Sequence, residues 1–252
     1  MSDAGIGLEV SGEAGRADLR IAIPPVNVLD LPLLAGLARA VRETRGVRLL
    51  VLRGLSRAFS AGVSVADHVP EPSAIERMLA GMRAVLTALL ETPAVTLASV
   101  SGACLGGGAE IAAACDLVVA AEDARIGFPE IRLACFPPGA VALLPVRIGE
   151  ARAAEWILTG RLFSGREAAQ AGFVSRTVPA ALLEPETERL ASELLAKSPA
   201  ALSETRDLLR GSRREALTRV LPRAEEAYRR LAGSADLRAA VEEFLARHGK
   251  RS

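Results

Sequence analysis

Two glutamates stand where carboxylates are costly. Glu110 follows the run Gly106-Gly107-Gly108 and opens the apolar stretch Ile111–Ala114, and Glu130 comes directly after Pro129 in IGFPEIRLACFPP, Ile126–Pro138. A carboxylate in apolar surroundings must be paired, hydrogen-bonded or held for proton transfer with a raised pKa. Taken singly, each is more often a helix-capping or surface glutamate. A strand runs into Gly102, Leu105, Gly106, Gly107 and Gly108 and a helix starts there, so backbone N–H groups without intrahelical partners face outward at the positive end of the helix dipole. Glycine at such a turn lets a substrate approach the backbone and permits positive φ, although a tight packing turn uses the same residues. A dinucleotide fingerprint is excluded because no acidic residue follows about 20 positions on at the end of a second strand, and a phosphate loop because Gly-Lys-Ser/Thr is missing. A second small-residue turn, Ala61-Gly62-Val63, lies in AFSAGVSVADH, Ala58–His68, just beyond the buried strand Val47–Arg53. This is the carboxyl edge of a strand, where α/β sheets bind ligands. Two such turns on neighbouring strands can aim two N–H groups at one oxygen, which is an oxyanion hole.

The elements that must position these residues alternate. Leu8–Val10 and Leu19–Ile23 read as a hairpin around Gly12–Gly15, ended by Pro24 and Pro25, which have no N–H for a sheet. Leu34, Leu37, Ala38 and Val41 recur at three and four, predicting a helix over Leu33–Thr44 stopped by Gly46. Val47–Arg53 and Ala94–Val100 are short and continuously apolar, as expected of strands covered on both faces, and a helix over about Ile75–Glu91 separates them. Strand, helix and strand in this order predict parallel βαβ units and an α/β fold. Ala109–Ala114 is the next helix, Leu117–Ala120 the next strand. Beyond about Glu150 the composition turns to Ala, Arg, Glu and Leu at helical spacing, with Phe173–Val178 the remaining strand. This predicts a helical appendage packed on the core or on a neighbouring subunit.

The 252 residues are half hydrophobic, and 31 Lys+Arg nearly cancel 30 Asp+Glu. Such a balance asks for neither nucleic acid nor an acidic membrane surface and leaves a small molecule as the expected partner. Cys104, Cys115 and Cys135 have no CxxC spacing and an odd count, so they read as small core residues in a reducing cytoplasm. His68 and His248 lie in unrelated contexts, and no metal site is expected. The first fifteen residues lack a basic start followed by an apolar run, and no stretch offers about 18 uninterrupted apolar residues, so neither secretion nor a membrane span is expected.

The run PAVTLASVSGACLGGGAEIAAACDLVVAAEDARIGFPEIRLACFPP resembles the signature of the crotonase, or enoyl-CoA hydratase/isomerase, superfamily: P-x-I-A-x-V-x-G-x-A-x-G-G-G-x-E-L-x-x-x-C-D followed by F-x-x-P-E. AFSAGVSV is similar to the family's F-x-A-G-x-D element, and the likeness extends from about Leu19 to Val178. The resemblance implies a crotonase-like core of repeated ββα units over 1–185, and a C-terminal helical segment, 186–252, serving trimer contact or closure of the site. It implies an oxyanion hole from the N–H groups of Val63 and Gly107, and a hydratase pair in Glu110 and Glu130. The reaction implied is addition or removal of water at a double bond conjugated to a coenzyme A thioester. Coenzyme A is then part of the substrate and no further cofactor is expected. It would run along Arg57, Ser60, Ala61, Gly62 and Ser64, with Ala61 near the adenine and Arg57 toward the phosphates. Gly106, Pro129, Pro138 and His68 would border the acyl group. Ser64 stands where the family commonly has Asp, which bears on the substrate more than on the reaction.

PPVNVLD (Pro24–Asp30), VADH (Val65–His68) and FPP (Phe136–Pro138) are similar to the cyclohexa-1,5-diene-1-carbonyl-CoA hydratases, which add water across a conjugated diene, although PPVNVLD also resembles a structural turn general to the family. His68 reads as a surface loop residue, a polar pocket residue or a proton relay, with the first two favoured. An isomerase or thioester hydrolase on the same scaffold would need other acids and bases, against which the two glutamates argue. A non-catalytic binding module, including the RNA-binding kind, is disfavoured by one Trp, one Tyr, six Phe and a net charge of +1, which leave no basic patch interleaved with stacking aromatics. The resemblance implies a homotrimer or a dimer of trimers.

Overall fold

The computed structural model describes residues 8–13, 15–44, 46–65 and 72–248; His68, and with it most of 65–70, lies outside them. The chain opens with the antiparallel pair β1 (Leu8–Glu13) and β2 (Arg16–Ile21), in which Val10 faces Leu19. Gly12, expected in the turn, instead pairs with Ala17 inside β1. β3 (Val28–Leu29) leads into α1 (Leu31–Glu43), whose first turn is capped by the Asp30 carboxylate accepting the Leu33 N–H at 2.9 Å. Leu34, Leu37, Ala38 and Val41 are all buried, as their spacing requires.

A unit of strand, short strand and helix then recurs. β4 (Leu49–Arg53) is followed by β5 (Ala58–Ser60), β6 (Gly62–Val63) and α2 (Pro72–Glu91). Next come β7 (Val95–Val100), β8 (Ala103–Leu105) and α3 (Gly107–Ala114). β9 (Leu117–Ala121) and β10 (Arg125–Gly127) lead through a 3₁₀ turn, Pro129–Leu133, to α4 (Pro138–Ile148). After α5 (Glu150–Thr159), β11 (Leu162–Ser164), α6 (Gly165–Gln170) and β12 (Arg176–Val178), the chain ends in α7 (Leu183–Leu195), α8 (Pro199–Ala232) and α9 (Ala235–His248). The leading strands of the units lie parallel in a six-stranded sheet of order β1-β2-β4-β7-β9-β12, and the short strands form a second sheet of order β11-β10-β8-β5. This is the expected ββα core with its helical segment. Its short strands are implied by the resemblance alone, because strands of three residues are too short to show a period. Gly102 makes the corner between β7 and β8 at φ 57°, where a Cβ would overlap the Arg57 carbonyl.

The helical third is bolted to the core rather than linked to it. α7 straddles residue 185 and packs on β4, β7, β9 and β12. α8 packs on α4 and α2. Arg210, 1% exposed, reaches from α8 to the Asp116 carboxylate with Nε at 2.7 Å, and to the carbonyls of Thr92 and Ala94 at 2.7 and 2.9 Å. Arg213 adds a bond of 2.7 Å to Asp116 and bonds of 3.0 and 2.9 Å to the carbonyls of Ala114 and Cys115. Asp116 thus joins the C-terminal end of α3 to α8.

Candidate active site

Val63 reaches the site through a knot of buried polar groups. Asn27 is fully buried at φ 56°; its amide donates to the carbonyls of Ala58 and Phe59 at 2.9 and 3.1 Å, and its Oδ1 accepts the Ile23 N–H at 2.8 Å. The Ser60 hydroxyl donates to the Asn27 carbonyl at 2.7 Å and accepts the Gly62 N–H at 3.0 Å. These bonds hold β6 beside β3, with Gly62 opposite Val28. The second loop is tied through the Gly106 N–H to the Gly127 carbonyl at 2.9 Å, and among the described residues no side chain caps the start of α3. As the first helical residue, Gly107 has an N–H without an intrahelical acceptor. The two loops touch: a Cβ on Gly107 would stand 2.7 Å from Val63 Cγ2, and one on Gly62 would stand 3.7 Å from the Gly107 nitrogen.

The carboxylates are brought to this junction from opposite sides. Glu110 lies in the first turn of α3, 4% exposed, and accepts the Ala140 N–H at 2.8 Å from the N-terminus of α4. Burial pushes its carboxyl up to about 7, against the pull of the Ala140 and Gly139 N–H groups. Glu130 sits in the 3₁₀ turn, anchored by buried Phe128, whose ring packs 6.4 Å from that of Trp156, and by the Cys135 N–H, 3.2 Å from the Glu130 carbonyl. Burial, and then the charge of Glu110, push the Glu130 carboxyl up to about 8. Its Oε2 is buried and has no hydrogen-bond partner among the described residues.

Glu110, Glu130, Gly107 and Val63 line one cavity of about 260 Å³. Ala61, Gly62, Gly106, Pro129 and Pro138 share it. Met82 and Arg83 of α2 also line it, and a part of the wall that the sequence reading missed comes from Leu221, Glu225 and Tyr228 of α8. Tyr228 is 2% exposed, its ring edge-on to Phe136 at 5.8 Å and its hydroxyl against the Cys135 thiol. No local signal marks these residues, since α8 is strongly polar along most of its length. Among the described residues no group of three or more His, Cys, Asp or Glu is placed to hold a cation.

Gly106 lies at φ 50°, and a Cβ there would stand 2.5 Å from Glu130 Oε1. Gly106→Ala must therefore strain the turn and move the carboxyl. We expect kcat/KM to fall about 100-fold, the scale of an ångström's misplacement of a reacting group, at a stability loss of about 1–3 kcal/mol. Steady-state kinetics beside a thermal melt would show it, and unchanged kinetics would mean that Glu130 does not act from this position.

The family model described as enoyl-CoA hydratase/isomerase matches residues 12–250. The chain belongs to the enoyl-CoA hydratase/isomerase family. Among curated relatives it is 38% identical to a cyclohexa-1,5-dienecarbonyl-CoA hydratase of Thauera aromatica over 62% of this chain and 61% of that protein. It is 33% identical to a 2,3-dehydroadipyl-CoA hydratase of Escherichia coli over 87% of this chain and 86% of that one. A crystal structure of an enoyl-CoA hydratase/isomerase from Xanthobacter autotrophicus Py2 superposes with a TM-score of 0.86 at 30% identity, covering 97% of this chain and 94% of that one.

In this enoyl-CoA hydratase/isomerase chain, three of the expected coenzyme A contacts, Arg57, Ser60 and Ser64, are not among the cavity's lining residues. Ser60 is fully buried, and its hydroxyl is consumed by Asn27 and Gly62, so it supports the loop rather than facing a ligand. Gly108 packs directly on it: a Cβ there would stand 2.7 Å from Ser60 Cβ and 3.0 Å from its Oγ. Arg57 is exposed in the turn before β5, and the Ser64 N–H donates to the Leu29 carbonyl at 3.1 Å.

Proposed function

We propose that this chain hydrates, and in reverse dehydrates, a double bond conjugated to a coenzyme A thioester. The observation that supports it is the pair of buried carboxyls, Glu110 and Glu130, lining one cavity with the unpartnered start of α3. When water adds to the β-carbon, negative charge moves to the thioester oxygen. Donors from Val63 and Gly107 offset it, each lowering the barrier by roughly 3 kcal/mol. Glu110, held toward its ionised form by the Ala140 N–H, orients the water and draws its proton. Glu130, pushed up to about 8 and so protonated at the start, delivers its own proton to the substrate carbon, while the proton taken from water stays on Glu110. An isomerase needs only to shuttle one proton between two carbons, and a second buried carboxyl would serve no purpose there.

Coenzyme A is assigned to the Ala61-Gly62-Val63 loop, with the adenine by Ala61 and the exposed Arg57 toward the phosphates. Assembly as a trimer or dimer of trimers is the quaternary state we infer, and Leu208 and Leu209 on α8, 79% and 70% exposed, support a further contact there. Three buried free thiols favour a reducing compartment, the cytoplasm.

Absorbance of the conjugated thioester, followed with crotonyl-CoA and with cyclohexa-1,5-diene-1-carbonyl-CoA side by side, tests the reaction and the acyl group together. Loss of absorbance with the ring diene alone would support the narrower reading suggested by the Thauera relative. Loss with crotonyl-CoA alone would mark a general enoyl-CoA hydratase. Turnover of neither would refute the hydratase reading.

A further inference from the structure

The cavity holds a third carboxylate that the hydration chemistry does not use. Glu225, on α8, is 2% exposed and faces the cavity together with Arg83. Its Oε2 is paired with Arg83 Nη1 and lies 3.6 Å from Arg229 Nη2. Its Oε1 is buried with no hydrogen-bond partner among the described residues. A carboxylate oxygen shut off from water and left unpaired costs stability that a ligand can restore. We propose that Glu225, held by Arg83, selects an acyl group bearing a hydroxyl on the part remote from the thioester, which donates to Oε1.

Position and charge both support this. Tyr228, one turn further along the same face of α8, feels the charges of Glu110 and Glu130. Glu225 is instead paired with Arg83 and lies near Arg229, which is paired in turn with Glu76, so it stands where α8 meets α2. Arg83 and Arg229 are balanced by Glu225 and Glu76, so the corner favours neither an anion nor a cation. A neutral donor is what remains, since Oε1 accepts and Arg83 is already engaged. Met82 and Leu221 beside it are apolar and offer a hydroxyl no competing partner. A bare hydrocarbon, chain or ring, would cover Oε1 without bonding to it, and sites built around a buried polar group discriminate strongly against ligands that lack its partner.

The proposal rests on the reading that an acyl-CoA enters this cavity, but not on its being hydrated. Calorimetric binding of butanoyl-, pentanoyl- and hexanoyl-CoA, each beside its ω-hydroxy counterpart and with adipoyl-CoA as the anionic comparison, reads it without turnover, because saturated acyl groups cannot react. In the wild type at least one hydroxylated member should bind about 10-fold or more tighter than its parent. Glu225→Leu should abolish that preference, while Glu225→Gln, whose carbonyl can still accept, should keep most of it and control for folding. Equal binding of every pair, an unchanged preference in Glu225→Leu, or tightest binding by adipoyl-CoA would overturn the proposal. If crotonyl-CoA is hydrated while the pairs bind equally, only this site is refuted; if the pairs are distinguished and no enoyl-CoA is hydrated, only the reaction is.

Discussion

Glu130→Gln is expected to lower kcat for hydration by about 100- to 10,000-fold while leaving KM within a few-fold, because the amide keeps the shape but cannot carry a proton. The pH profile should show why. Glu110 and Glu130 are pushed up to about 7 and about 8, and they act on one another, so the protons leave the pair in two steps belonging to both groups. Hydration needs one carboxylate to take a proton from water and one carboxylic acid to deliver one. Only the singly ionised pair provides both, which predicts a narrow bell in kcat/KM centred between about 7 and 8. Glu110→Gln should move the remaining titration of Glu130 downward, since the neighbouring charge that helps raise it is gone. Stability gives an independent readout. Both folded values lie above the ordinary 4.5, so the folded protein holds protons that the unfolded chain releases. Stability from these groups is full below about 4.5 and is lost as pH rises through about 8. Glu130→Gln removes that loss, so its melting temperature should exceed the wild type's near pH 9 and approach it near pH 5. A variant with unchanged kcat would remove Glu130 from the chemistry.

Asp116→Ala should be the most damaging single change to stability, at about 3–5 kcal/mol, because it strands buried cations. Arg210 is 1% exposed and Arg213 is 9% exposed, and both direct a guanidinium nitrogen at Asp116. The carboxylate also accepts the Thr96 N–H at 2.9 Å. Burial alone would raise its pKa, but the bonds and charge of Arg210, the Thr96 N–H and Arg213 together hold it below the usual carboxylate range. Its contribution is therefore present above the ordinary 3.8 and fades as pH falls through the depressed folded value, so the gap between wild type and Asp116→Ala should narrow in acid. Urea denaturation at neutral and acid pH would measure it, and a loss under about 1 kcal/mol would show that α8 is held elsewhere. Since α8 carries Leu221, Glu225 and Tyr228 into the cavity, acyl-CoA binding should weaken in the same variant.

How much was legible in the chain divides along a physical line. α1 could be read from Leu34, Leu37, Ala38 and Val41 because helical spacing is local and one face must be buried. β4 and β7 could be read because strands covered on both sides are continuously apolar. Val63, Gly107, Glu110 and Glu130 were named through the resemblance of their two motifs to the family's, since a glycine turn or a glutamate in apolar sequence taken alone has commoner structural uses. Ser60, expected along coenzyme A, uses its hydroxyl to hold its own loop. Sequence shows a hydroxyl beside a glycine turn, but only the fold shows that the Asn27 carbonyl and the Gly62 N–H take it up.

The sequence by itself determined the α/β class, the alternating units, the family and the two carboxyls, because each is written in neighbouring residues and their spacing. The tertiary structure alone decided the second sheet, the bolting of α8 through Asp116, and the wall of Arg83, Glu225 and Tyr228. Arg83 and Glu225 are 142 positions apart, and their ion pair exists because α8 folds back across α2. Contacts of that span leave no period or motif along the chain, since the burial that selects them is created by the fold itself.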